Sequence, residues 1–189
     1  MKKTLALLLA LVLVFALTAC ASAPEAAPEA EASAYASSLD VLNVIWENTP
    51  ADAKFSAFGG NQNENAVMDA PGAYDITDTD GLAGLLLIPS DVHSSIDDAA
   101  SLIHMMNANT FTGAAFRVAE GTSADAAAAV QNAILTNQYM CGFPDKTVVM
   151  TLDNYVLYAF GAEEFVNNFR DAAQELTGEL TVVCDEPIA

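Results

Sequence analysis

Basic residues are scarce in this chain. Lys and Arg number six against twenty-five Asp and Glu, a formal net charge of −19. A surface of that sign repels phosphate backbones and anionic headgroups, so nucleic-acid binding is not expected. Histidine occurs only at His93 and His104. No G-x-S-x-G, H-E-x-x-H, Walker loop or dinucleotide fingerprint is present, so the common catalytic frameworks receive no support. The chain is therefore expected to be neither an enzyme nor the holder of a cofactor. C-x-x-C is missing too: Cys141 is followed by Gly142, Phe143 and Pro144, so no resolving cysteine stands at the spacing dithiol exchange requires.

The one long apolar run stands at the start. "MKK" is basic, "LALLLALVLVFAL" is apolar, and "LTAC" closes the run with small residues before a cysteine. This is the layout of a secretory signal peptide, and the run is shorter than the ~20 residues a spanning helix needs. Leu17, Thr18, Ala19 and Cys20 resemble a bacterial lipobox. The resemblance implies a signal peptide over 1–19, lipidation of Cys20 and a membrane anchor on the extracytoplasmic face. Two acyl chains anchor stably where one does not. Without Lys2 and Lys3 the expected mature chain keeps Lys54, Arg117, Lys146 and Arg170 against all twenty-five acids, a formal charge of −21.

Residues 20–37, "CASAPEAAPEAEASAYAS", are Ala, Pro, Glu and Ser with no apolar period. Such composition builds no core and reads as an extended tether. Residues 38–189 are long enough for a single domain with a sizeable core.

Within that domain "SLDVLNVIWENTP" reads as a short amphipathic helix, with Leu42, Ile45 and Trp46 at helical spacing and Pro50 beyond its end. "FGGNQNENAVMDAPGAYDI" lacks periodicity and is expected to be irregular, with a short strand at Tyr74–Ile76. A pattern then repeats. "AASLIHMMN" and "FTGAAFRVA" precede a helical segment with Thr122 and Asp125 at capping-box spacing. "KTVVMTL" and "YVLYAFG" flank the turn pair "DN" and precede a helix with Phe165, Phe169, Ala173 and Leu176 on one stripe and Gly178 as its C-cap. "ELTVVC" closes the chain as a last strand. Residues 97–109 read equally as strand or helix, because a short apolar run does not choose by period. Hairpin, helix, hairpin, helix argues for an α+β fold: an antiparallel sheet with the helices packed on one face.

The lipobox, the tether, "MDAPGAYDI", "IDDAASLIHMMNANTFTGAAFRV", "MCGFPDKTVVM" and "FGAEEFVNNF" together resemble a family of small uncharacterised lipoproteins from anaerobic Gram-positive bacteria. That resemblance spans nearly the whole chain. Some relatives carry the label bacteriocin transport accessory protein, a label shared with thioredoxin-like proteins, and the missing C-x-x-C withholds redox support from it here.

Several residues remain as candidates. Cys141 and Cys184 form a disulfide if the strands bring them together; the alternatives are separate buried thiols and a reactive nucleophile. Asp75, Asp78 and Asp80 in "DITDTDG" resemble the start of a calcium loop, but with Gly81 at position 6, position 1 is Ile76 and position 12 is Leu87. The same stretch reads as a helix start capped by Thr77, leaving at most a weak metal site completed from elsewhere. Tyr139 and Phe143, like Phe55 and Phe58, mark a partner surface or else plug the ends of the core. Met105 and Met106 are expected to fill the core, with His104 hydrogen-bonded among apolar neighbours and His93 on a surface loop. The sequence thus points to a non-enzymatic accessory or binding component of the cell envelope with a protein partner. Behind it stand a solute- or cation-binding lipoprotein of transport and an extracytoplasmic enzyme.

Overall fold

The computed structural model describes residues 33–63 and 66–189. The signal segment, Cys20 and the tether up to Ala32 lie outside the described residues. Among the described residues no helix is long and apolar enough to cross a membrane.

Helix α1 spans Ser38–Asn48, and the Ser37 hydroxyl accepts from Asp40 N to cap it. Three short strands follow: β1 (Ala57–Gly59), β2 (Val67–Met68) and β3 (Gly72–Ala73). The strand expected at Tyr74–Ile76 is displaced to β3, and Tyr74 only extends its pairing by donating N–H to Ala99 O at 2.8 Å. Helix α2 covers Thr79–Gly84. Then come β4 (Ile96–His104), β5 (Phe111–Val118), α3 (Ser123–Thr136), β6 (Lys146–Leu152), β7 (Tyr155–Gly161), α4 (Glu163–Ala173) and β8 (Leu180–Pro187). The segment that read equally as strand or helix is β4. Its partner β5 decides the matter, because seven backbone pairs join the two.

All strands form one antiparallel sheet in the order β2-β1-β4-β5-β7-β6-β8, with β3 beside β1 along the same edge of β4. At that junction Gly59 and Gly72 pass backbone against backbone: a Cβ on Gly72 would lie 2.5 Å from the Gly59 carbonyl carbon. Only glycine permits so close an approach.

The α+β class and the two hairpin–helix units are as the patterning predicts, but the helices cover both faces of the sheet. Tyr155, Leu157 and Ala159 pack with Val41, Leu42 and Ile45 of α1 and Val166, Phe169 and Ala173 of α4. Their neighbours Val156, Tyr158 and Phe160 pack with Ala127, Val130 and Ile134 of α3 and with Leu82, Leu86 and Ile88. Consequently β7 is buried along its whole length, which is why it reads as a continuous apolar run. The cause is topological. The β5–α3–β6 and β7–α4–β8 crossovers both step across one strand in the same lateral direction, yet β5 and β7 are antiparallel. Crossovers of one hand, the right-handed being the rule, then put their helices on opposite faces.

Two caps differ from expectation. Thr122 makes no side-chain bond to the start of α3; its hydroxyl donates to Ala119 O at 2.7 Å, so the Thr122–Asp125 capping box does not form. Helix α4 ends at Ala173, before Leu176, and Gly178, with φ +129°, serves the turn into β8.

Candidate functional site

The chain joins the domain at the end of the sheet where β7 begins. The Tyr155 hydroxyl donates to Tyr35 O at 3.0 Å, Arg117 Nη1 donates to Ala36 O at 2.8 Å, and Tyr35 Oη accepts from Thr177 N at 2.8 Å. The last residues assigned to the tether therefore lie on the domain, whose compact unit begins at Ser33 and not at Ser38. We call this end the base. Arg117 is fixed there by Asp97 at 2.7 Å.

The opposite end is built from the β4–β5 turn and the α3–β6 connection. Register places His104, Phe111, Gly161, Lys146 and Pro187 at that end of their strands. Eight residues of β5 at about 3.4 Å each separate the two ends by roughly 25 Å. Two asparagines on the first loop hold the second. Asn107 Nδ2 donates to Cys141 O at 2.6 Å, and Asn109 Nδ2 donates to Met140 O and Gly142 O, both at 3.0 Å. Cys141 sits at φ +62° within this clamp.

What the clamp presents is apolar. Met106 is 83% exposed, Phe143 80% and Met140 79%. Burying each such side chain would contribute about 1.5–3 kcal/mol, so two clamped loops that leave three of them in water hold binding energy in reserve. A groove of about 290 Å³ adjoins Phe143, lined also by Tyr139, Pro144 and Ile188. The two clamped segments are also uncharged: residues 99–116 and 126–144 contain no Asp, Glu, Lys or Arg, in a chain with thirty-one such residues. Neither gap is notable in the sequence until the fold sets their ends side by side.

The predicted residues divide here. Phe143 is exposed, but Tyr139 is half-buried, its ring centroid 6.0 Å from that of Phe160 and its hydroxyl donating to Ile134 O at 2.9 Å. Burial pushes that phenol up to about 12. Met105 and Met106 are not core residues: both are exposed, because the strand ends at His104 and they fall in the turn. Phe55 plugs the end of one core layer, its centroid 5.3 Å from His104, 5.0 Å from Phe111 and 4.7 Å from Phe165. Phe58 is buried in the other. His104 Nδ1 accepts from Met106 N at 3.2 Å, whereas His93, on a single 3-10 turn, donates Nε2–H to Ile88 O at 2.8 Å.

Cys141 and Cys184 do not pair. Both are free thiols, Cys141 exposed on the tip and Cys184 buried on β8 opposite Val149. Burial, with a contact to Glu186 at 3.1 Å, pushes the Cys184 thiol up to about 12, so it remains protonated and inert.

Asp75, Asp78 and Asp80 are not assembled as metal ligands. Asp78, not Thr77, caps α2, accepting from Gly81 N at 2.9 Å, and it also accepts from Asn61 Nδ2 at 2.9 Å and Tyr74 Oη at 3.3 Å. Those bonds, Gly81 foremost, hold its carboxyl below the ordinary range. Asp75 turns back to Thr77, whose hydroxyl donates at 2.7 Å. Among the described residues no group of three His, Cys, Asp or Glu is placed to hold a metal ion. A polar cleft of about 400 Å³ lies alongside, lined by Asn61, Gln62, Tyr74, Asp78 and Gly81.

No family model, no curated protein and no solved structure matches this chain.

Proposed function

We propose that the chain is a non-enzymatic accessory lipoprotein of the cell envelope, anchored through Cys20 on the extracytoplasmic face, whose domain binds another envelope protein. One observation carries the reading: the uncharged tip formed by Met106, Met140 and Phe143 lies at the end of the sheet opposite Tyr35 and Ala36, where the chain joins the domain. A tether that fastens one end to a membrane leaves the other free to meet a partner. The lipobox pattern and the acidic composition support the location, and the clamped geometry of the tip supports binding over chemistry. A residual solute-binding role rests on the polar cleft at Asp78.

Metabolic labelling with an alkyne-bearing fatty acid tests the anchor. The wild-type chain takes up label and sediments with membranes, whereas Cys20→Ser does neither; equal labelling of the two rules the anchor out. Isothermal titration with small polar solutes tests the cleft, and saturable heat abolished by Asn61→Ala would favour the solute reading.

A further inference from the structure

The tip has a rim, and the rim is acidic. Asp145 N donates to Gly161 O at 2.9 Å and Ala162 N donates to Thr110 O at 2.8 Å, so Asp145 and the first turn of α4, with Glu163 and Glu164, border the clamped loops. All three acids are exposed. The four ion pairs among the described residues use only Asp97, Asp171 and Asp185. Lys146, next to Asp145 in the chain, is occupied by Asp185 at 2.7 Å and Asn167 at 2.8 Å, and Lys54 lies over the Trp46 ring at 5.1 Å. Thus an uncharged apolar centre is bordered by three acids with no ion-pair partner.

Resting on the anchored-module reading, we infer that this end docks a protein whose contact surface is apolar at its centre and ringed by Lys and Arg. Interfaces place their desolvated anchors centrally and match charge at the rim. Met106, Met140 and Phe143 supply the anchors, and Asp145, Glu163 and Glu164 supply the charge. A second copy of this chain would set acid rim against acid rim, and like charges disfavour that contact. An anionic bilayer meets the same repulsion.

The test uses full-length lipidated protein in its own membranes, with a photo-reactive benzoylphenylalanine at position 143 or, as a control, at position 182 on the exposed edge strand β8. Position 143 is expected to form an adduct with a different polypeptide, and peptide mapping is expected to find Lys or Arg flanking apolar residues at the crosslink. Glu163→Gln with Glu164→Gln should reduce its yield about threefold, and Glu163→Lys with Glu164→Lys about tenfold, circular dichroism and melting showing the variants folded. Raising salt from about 0.05 M to about 0.5 M should slow its formation.

Adducts only between copies, adducts with lipid in vesicles holding this protein alone, a mapped surface without basic residues, or a yield indifferent to both charge changes would each overturn the inference. Protein adducts at position 182 with none at position 143 would overturn it while leaving the anchored-module reading intact. Failure of Cys20 acylation would strike that reading instead.

Discussion

The Asn109 side chain donates both amide hydrogens across the tip, to Met140 O and to Gly142 O, each at 3.0 Å. A residue from the β4–β5 turn thereby sets the shape of the α3–β6 connection, thirty-one positions later. Replacing Asn109 by Ala removes both bonds, and at about 1 kcal/mol each the loss is felt mainly in the loop. Amide hydrogen exchange at residues 139–143 should accelerate about tenfold or more while strands β5 and β7 keep their protection.

The two thiols should separate cleanly. Cys141 is exposed and Cys184 is buried with its pKa near 12. Of these two, maleimide under native conditions is expected to modify Cys141, and Cys184 only after denaturation. An intact mass showing two hydrogens lost, or equal labelling of both, would contradict the free-thiol arrangement.

Asp78 is a helix cap with its oxygens already bonded, so its removal should destabilise without any link to calcium. Asp78→Ala is expected to lower the denaturation midpoint, because α2 loses its N-cap and Asn61 loses its bond. Millimolar calcium should leave the melting temperature of the wild type unchanged. A calcium-dependent rise absent from Asp78→Ala would restore the metal reading of "DITDTDG".

Acid should weaken the seam between α4 and the β6–β8 edge. Burial pushes the Asp185 carboxyl up, but Lys146 at 2.7 Å and Arg170 at 2.8 Å outweigh it, and the net direction is down. A folded-state pKa below the unfolded value of about 3.9 means stabilisation that is complete above that value and lost as pH falls through the lower, folded pKa. Asp185→Asn should cost on the order of 1–2 kcal/mol at neutral pH, about what two partly exposed pairs contribute. Denaturant midpoints of wild type and variant should converge as pH falls below the folded-state pKa; a gap constant with pH would refute the pairing.

The crossing of β1 and β3 tolerates no side chain. Gly72→Ala puts a methyl group 2.5 Å from the Gly59 carbonyl carbon, and backbone cannot rotate aside as a side chain can. A loss of roughly 3 kcal/mol is expected, read as a lower chemical-denaturation midpoint. Gly84→Ala is the control, since nothing lies within 4 Å of its added carbon. That variant should be neutral or slightly stabilising.

Much of the fold was legible because it rests on local physics. β-Branched and aromatic runs around Asp153 and Asn154 describe the β6–β7 hairpin, and Leu42 and Ile45 mark the apolar face of α1. The local signals failed where a competing bond was available. Thr122 turned back to Ala119 and left α3 uncapped, and Asp78, reached by Gly81 N, displaced Thr77. The candidate site was legible only in part. Phe143 was marked, but Met105 and Met106 were placed in the core because an apolar run does not reveal where its strand stops.

By itself the sequence determined composition, element order and the acidic character of the chain, all of which follow from residues near one another or from simple counting. Tertiary structure decided which face each helix covers, because crossover hand depends on strand direction. It also kept Cys141 apart from Cys184 and joined the uncharged segments 99–116 and 126–144 at one end. Two stretches that neither attract nor repel by charge have no signature in one dimension. They become a surface when Asn107 and Asn109 hold them together, with water on their outer side.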